Sequence, residues 1–352
     1  MSDFSQYQGP SSEWETFVQK NPLPVGNLSL SPQAIRQATN TLRVRISEAE
    51  LEADDLRSKT TWSDYCILTR DKQNIIVRVY RPRHAPATAL LPVYLYFHGG
   101  GHLLGTIETE DAACSRVSSQ AGIVVANVGY RHTPEFKHPT QVNDAWDSFE
   151  WLASNAATIG ADPTRVIVGG ISAGAGLAAA VIARQHGGLE ASLSRADGLE
   201  ICGQLLCIPW LVHPDNHPLA GAPTSSFWQN VDAAVLPMAL LRLFTDLLGA
   251  ERDPADPVLN VALIDDAGVV GMPKTSFLVA GQDLLRDEGL FYAEKLKKNG
   301  VPTKVHVFPG LPHGFRRFTD LPSSRRWDDL LVESCKWFLS ADNTSSFTVM
   351  ET

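Results

Sequence analysis

Apolar residues return along this chain with two different periods. Short runs of β-branched, aliphatic and aromatic residues occur at Leu91-Pro-Val-Tyr-Leu-Tyr-Phe, at about 123–128, 165–169 and 201–207, at Thr275-Ser-Phe-Leu-Val-Ala, and at Lys304-Val-His-Val-Phe. Runs of this length and composition predict buried strands. Between most of them the apolar positions recur every third or fourth residue. Val142, Ala145, Trp146, Phe149 and Leu152 thus share one face of an amphipathic helix. A small-residue helix is predicted from about Ala173 to His186, and another from Asp287 to Asn299, stopped by Gly300 and Pro302. Cys66-Ile-Leu-Thr and Asn74-Ile-Ile-Val-Arg-Val-Tyr flank Arg70-Asp-Lys and read as a hairpin. Alternating strands and helices predict an α/β fold, with a mostly parallel sheet covered by helices on both faces. Ligands then bind beyond the carboxyl ends of the strands.

Two segments stand outside this alternation. One is Met1 to about Thr60, with a proline-rich turn at Asn21-Pro-Leu-Pro; the other, about 210–256, is inserted between two core strands. The core is then 61–209 plus 257–340, and the polar residues 341–352 read as a loose tail.

The strand at 165–169 runs into Gly170-Ile-Ser-Ala-Gly174, a G-x-S-x-G pattern that opens the small-residue helix. A serine in this setting sits on a tight strand-to-helix turn with its hydroxyl at the end of the sheet. Glycines two residues to either side let strand and helix approach without a Cβ clash. Upstream, the strand at 91–97 runs into His98-Gly-Gly-Gly101, whose uncovered N–H groups are free to face a ligand. Such donors stabilise the oxyanion of a tetrahedral intermediate, and the amide after the nucleophile, Ala173, is expected to add another. A serine nucleophile needs a base, and the base an orienting carboxylate. Asp283 follows the strand at 275–280, and His313 follows the strand at 304–308. This is the chain order Ser, acid, His of an α/β-type hydrolase. Asp287 is a competing acid, but it stands where a helix begins and reads as its cap.

These motifs resemble the hormone-sensitive-lipase-like branch of the α/β-hydrolases. The resemblance runs from about Tyr80 to Leu339. It is carried by H-G-G-G at 98–101, Tyr130-Arg-His-Thr-Pro-Glu135, Ala161-Asp-Pro-Thr-Arg-Val, the serine elbow, Asp283 in D-L-L-R-D-E, and His313 in P-H-G-F. It implies an α/β-hydrolase fold, a Ser172–Asp283–His313 triad, and oxyanion donors at the amides of Gly100, Gly101 and Ala173. It implies also that the two segments outside the core form a helical cap. Apolar candidates for the pocket wall are Trp14, Phe17, Leu103, Leu104, Phe227 and Trp228. The chain departs from the branch at Ile171, where an acidic residue is usual, at Gly174-Ala-Gly, and at Phe136-Lys-His-Pro-Thr.

The function expected is cleavage of small to medium apolar carboxylic esters, or of an acylated natural product, through an acyl-enzyme, with no cofactor. The same triad would also serve an acyltransferase, lactonase or cyclase. A catalytically silent ligand-binding receptor on this scaffold is the other alternative, opposed by the presence of His313. Composition narrows the partners. A net charge of −9 leaves no basic footprint for nucleic acid. No apolar stretch approaches the length of a membrane span. Met1-Ser-Asp-Phe-Ser-Gln lacks a basic and then apolar leader pattern, so a cytoplasmic enzyme is expected. The five cysteines are scattered, without C-x-x-C or zinc spacing, so no metal is expected. The His213/His217 pair is separated by Pro-Asp-Asn, which disfavours one ligating helix face. The sequence leaves the oligomeric state open; a homodimer is compatible with it.

Overall fold

The computed structural model describes residues 2–23, 28–187, 189, 196–249 and 256–352. Pro24 of the proline-rich turn and residues 250–255 of the insertion lie outside them. The strands are β1 (Thr60–Leu68), β2 (Asn74–Pro82), β3 (Leu91–Phe97), β4 (Val124–Gly129), β5 (Ala161–Ile171), β6 (Ile201–Cys207), β7 (Lys274–Gln282), β8 (Thr303–Pro312) and β9 (Ser346–Val349). The helices are α1 (Ser12–Lys20), α2 (Pro32–Ala53), α3 (Leu56–Lys59), α4 (Asp111–Ala121), α5 (Thr140–Asn155), α6 (Ala173–His186), α7 (Ser226–Gln229), α8 (Met238–Leu248), α9 (Asp266–Val269), α10 (Arg286–Lys298) and α11 (Pro322–Phe338).

The strands form one sheet in the order β1-β2-β4-β3-β5-β6-β7-β8-β9. The predicted hairpin is β1–β2, antiparallel and in register from Thr60↔Pro82 to Leu68↔Asn74. β2 also meets β4 antiparallel, and from β4 to β9 every pairing is parallel. β3 lies between β4 and β5, so the winding direction reverses there. The crevice outside such a reversal is where an open α/β sheet binds ligands. The loops that leave β3 and β5 carry H-G-G-G and Ser172.

Side-chain alternation on the central strands divides the core into two layers. Val93, Leu95, Phe97, Val166 and Val168 face Trp146 and Phe149 of α5, Leu177 and Val181 of α6, and Leu290 and Leu296 of α10. Tyr94, Ile167, Leu205, Leu278 and Phe308 face Cys114 and Val117 of α4 and Trp327 and Phe338 of α11. Both faces are thus dry, as a parallel sheet requires. Local signals set the helix ends. The Ser31 hydroxyl accepts from the Ala34 N–H at 3.2 Å with Pro32 in the first turn, and α6 stops at Gly187 with φ +87°. No described helix is long and apolar enough to cross a membrane.

The expectation of a loose tail is corrected. Ser346–Val349 is the ninth strand, parallel to β8 from Lys304↔Ser346 to Val307↔Val349. Beyond it the Met350 N–H donates to Val307 O at 2.8 Å, and the Thr352 hydroxyl donates to Pro309 O at 2.7 Å. The polar composition hid this strand. Its pairing is set by the open edge of β8, whose backbone groups need a partner wherever water is excluded. Truncating the chain after Ser345 is expected to cost about 2 kcal/mol or more, on the order of a few lost backbone hydrogen bonds. Thermal melting should show a lowered Tm, and size-exclusion chromatography should show more association through the bared edge.

Candidate active site

Ser172 stands between β5 and α6 with φ +56° and ψ −121°, a backbone state that costs a non-glycine residue about 1–3 kcal/mol. The surroundings hold it there. Its N–H donates to Cys207 O at 2.8 Å, and its carbonyl accepts from Ala175, Gly176 and Trp210 at 3.0, 3.2 and 3.1 Å. The turn is tight enough that a Cβ on Gly174 would sit 2.1 Å from Phe97 O, and one on Gly170 would sit 2.4 Å from the same atom. The pattern G-x-S-x-G is therefore a packing requirement against the end of β3.

The loop after β3 is anchored from beneath. The Tyr130 hydroxyl donates to His98 O at 2.8 Å, and the two rings stack with centroids 4.5 Å apart. Gly100 has φ +138°, and a Cβ there would overlap Leu104 O at 2.1 Å. Among the described residues, no group accepts a hydrogen bond from the N–H of Gly100, Gly101 or Ala173. All three amides border the serine through their residues' positions in the H-G-G-G loop and the elbow.

His313 and Asp283 arrive from β8 and β7. His313 Nε2 lies 3.0 Å from Ser172 Oγ, and its Nδ1 lies 2.8 Å from Asp283 Oδ2. The other carboxylate oxygen of Asp283 accepts from the Leu285 N–H at 2.9 Å, and the Asp283 carbonyl accepts from the Asn230 side-chain amide at 3.1 Å. Asp283 is fully buried, while Ser172 and His313 retain 7% and 8% exposure, enough to be reached from the cavity. A hydroxyl, an imidazole and a carboxylate in this chain can move the serine proton to the ring and hold the ring as it becomes charged. The cap role expected of Asp287 is corrected. Its Oδ2 accepts from the Ser226 N–H at 2.7 Å and its Oδ1 from Arg286 Nε at 2.7 Å, so it ties α7 to α10.

A family model for the alpha/beta hydrolase fold matches residues 94–317. The chain is 35% identical over 238 residues to the esterase LipI of Mycobacterium tuberculosis, covering 68% of this chain and 70% of that protein. Among solved structures it resembles a vibralactone cyclase, with a TM-score of 0.83 and 26% identity over 94% of this chain and 95% of that one. It also resembles a hyperthermophilic esterase from Pyrobaculum calidifontis, with a TM-score of 0.75 and 29% identity over 95% and 100%. The chain belongs to the hormone-sensitive-lipase-like carboxylesterase branch of the α/β-hydrolases. It is a carboxylic ester hydrolase.

In this hydrolase the serine opens into a cavity of about 530 Å³. Its apolar wall is Leu104, Ile208, Trp210, Leu236, Leu240, Leu241, Phe244 and Leu285. Of the six wall residues expected from the sequence, Leu104 alone borders it. Leu103 is fully buried and packs in the same cluster as Leu236, Leu241 and Phe244, one layer behind. Trp14 and Phe17 stack on each other at 5.7 Å and on Phe318 at 5.3 and 5.2 Å, so α1 spends its aromatics on the core. Phe227 stacks on His217 at 5.1 Å, and Trp228 is 54% exposed. The aromatic residues were attractive by size, but the wall is built mainly from aliphatic residues of α8 and the loop before it. Their spacing marked a helix and gave no sign of which face turns to the serine. Arg43 of α2 and Arg317 also line the cavity.

The histidines beneath the H-G-G-G loop are kept neutral. Burial lowers the pKa of His98 and His132, and pushes that of His102 down to about 3, with neighbouring histidines adding to it. The unfolded chain therefore takes up protons on these rings below about pH 6.5 while the folded protein does not. Stability should thus fall as pH drops from about 6.5 toward the folded-state value of His102 near 3. Calorimetric Tm values between pH 7 and pH 5 should fall, and His102→Asn should make the fall shallower.

Proposed function

We propose that Ser172 is the nucleophile of this esterase, His313 its general base and acid, Asp283 the orienting carboxylate, and the amides of Gly100, Gly101 and Ala173 the oxyanion donors. The observation that carries this reading is the unbroken Oγ···Nε2 and Nδ1···Oδ2 relay at 3.0 and 2.8 Å, at the mouth of a cavity beside three uncommitted amides. Ser172 Oγ attacks the ester carbonyl carbon while His313 takes its proton. The carbonyl oxygen becomes an oxyanion facing the amides, which stabilise it without having to reorganise. Collapse breaks the ester C–O bond, and His313 returns the proton to the leaving alkoxide. Water then repeats the sequence on the acyl-enzyme and frees the acid.

Substrate size follows from the wall. A cavity lined mainly by aliphatic side chains, with Ser172 and His313 at its wall, suits apolar acyl or aryl groups of small to medium size. The segment before residue 61 and the insertion at 210–256 are read as a cap, because α2 and α8 both border the cavity and Ile35 of α2 packs on the Leu241–Phe244 cluster. Cyclisation is a second reading favoured by one observation, the TM-score of 0.83 to a vibralactone cyclase. It uses the same acyl-enzyme with an internal nucleophile in place of water.

Ser172→Ala is expected to cut turnover of 4-nitrophenyl esters on the order of 10⁴-fold or more while the circular dichroism spectrum is kept. Near-normal turnover in that variant would remove the assignment. Asp283→Asn should cost far more in kcat than Asp287→Asn, whose effect should appear mainly in Tm, since Asp287 holds α7. Along a series of acyl lengths, kcat/KM should pass through a maximum at short to medium chains and fall for long ones.

A further inference from the structure

Two arginines line the serine cavity with no carboxylate paired to them among the described residues. Arg43 lies in the middle of α2, and Arg317 lies in the short turn Phe315–Arg317 that follows His313. Both line the Ser172 cavity beside Ile171, and the same three residues line an adjoining cavity of about 830 Å³. Arg43 Nη1 is shielded from solvent and has no hydrogen-bond partner. Neighbouring arginines hold carboxylates: Arg316 grips Glu50 at 2.6 Å and Asp328 at 2.7 Å, and Arg36 grips Glu135 at 2.6 Å. Among the described residues, neither Arg43 nor Arg317 joins such an ion pair. The acidic group facing Arg43 is Glu110, whose two oxygens are engaged by the hydroxyls of Tyr96 at 2.7 Å and Thr109 at 3.0 Å. Ile171, immediately before the serine, offers no counter-charge.

A guanidinium partly withdrawn from water without a paired anion is costly, and two lining one cavity repel each other. Burial, with the charge of Arg317 added, lowers the pKa of Arg43 to about 9, and Glu110 only partly opposes this. Both penalties are relieved by one ligand anion. Guanidinium forks match a carboxylate in plane and spacing, and hydrogen bonds to charged groups are the stronger ones.

We propose that this esterase is built for esters bearing a carboxylate, which Arg43 and Arg317 hold while the ester carbonyl lies at Ser172 and the apolar remainder lies against α8. The inference rests on the reading of Ser172 as nucleophile. The carboxylate could belong to the acyl side, as in a dicarboxylic acid monoester, or to the alcohol side, as in an acylated hydroxy acid.

Two pairs of isosteric esters separate these sources. Mono-4-nitrophenyl glutarate is compared with 4-nitrophenyl 5-methylhexanoate, and 3-acetoxybenzoate with 3-isopropylphenyl acetate, each corrected for uncatalysed hydrolysis. In at least one pair, the wild type should favour the anionic ester about 10-fold or more in kcat/KM. In that pair Arg43→Gln should lower the anionic-to-neutral ratio on the order of 10- to 100-fold, the size of a lost charge-assisted hydrogen bond. The loss should appear chiefly in KM, and Arg43→Lys should restore part of it. If Arg43→Gln does not fold by circular dichroism, Arg317→Gln decides on the same ratio. A wild type that favours the neutral ester in both pairs, or a ratio unmoved in the folded arginine variants, overturns the proposal. If in that case the neutral esters are still cleaved by the wild type and not by Ser172→Ala, the nucleophile stands and only the carboxylate site falls. Cleavage by Ser172→Ala would instead overturn the reading beneath it.

Discussion

The turn at Ser172 is the constraint on which the rest of the molecule depends. A serine with φ +56° holds only where its surroundings favour that state by more than it costs. Here the cost is met by backbone: the Cys207 carbonyl below, the amides of α6 and Trp210 above, and the end of β3 alongside. Those contacts exist because β3, β5 and β6 are adjacent in one parallel sheet, in register from Phe97↔Gly170 to Ile171↔Cys207. Glycine at 170 and 174 is what lets the end of β3 come so close. The sheet, the helix and the loop after β3 thus converge on one hydroxyl, and the reversal of winding at β3 opens a crevice in front of it.

Electrostatics around the site are arranged by burial more than by pairing. Asp283 is dry, yet each of its carboxylate oxygens has a partner, the His313 ring on one and the Leu285 N–H on the other. The histidines under the H-G-G-G loop are held neutral by burial, which keeps positive charge away from beneath it. Arg43 and Arg317 differ from both groups. They border the Ser172 cavity, and among the described residues no carboxylate grips them.

The cavity wall illustrates how one insertion can set specificity without touching the chemistry. Leu236, Leu240, Leu241 and Phe244 come from a segment whose apolar face is turned to the serine by packing against Leu103 and Leu285. The ring of Phe244 closes so tightly on the H-G-G-G loop that a Cβ on Gly101 would lie 2.1 Å from it. Changes in this segment would reshape the cavity while Ser172, His313 and Asp283 behind it stayed in place.

Local residue patterns carry the elements of the fold and the order of the candidate site residues. Strand and helix periods, glycine punctuation, and the order of Ser172, Asp283 and His313 are local signals, carried by residues near one another in the chain or at strand ends. Local composition also predicted the hairpin at 66–80, which extends to 60–82, the helix face at 142–152, which lies in the helix at 140–155, and the helix at 173–186. Only the tertiary structure decided the pocket wall, the use of Trp14 and Phe17 in the core, the role of Asp287, the strand at 346–349 and the two unpaired arginines. Each of these depends on which face meets which partner across a large sequence separation. A period of 3.6 shows that α2 or α8 has an apolar face; it carries no information on what lies opposite. A polar tail becomes a strand because an open sheet edge offers hydrogen bonds, and an arginine becomes a candidate anion holder because folding places it in a cavity where no described carboxylate pairs it.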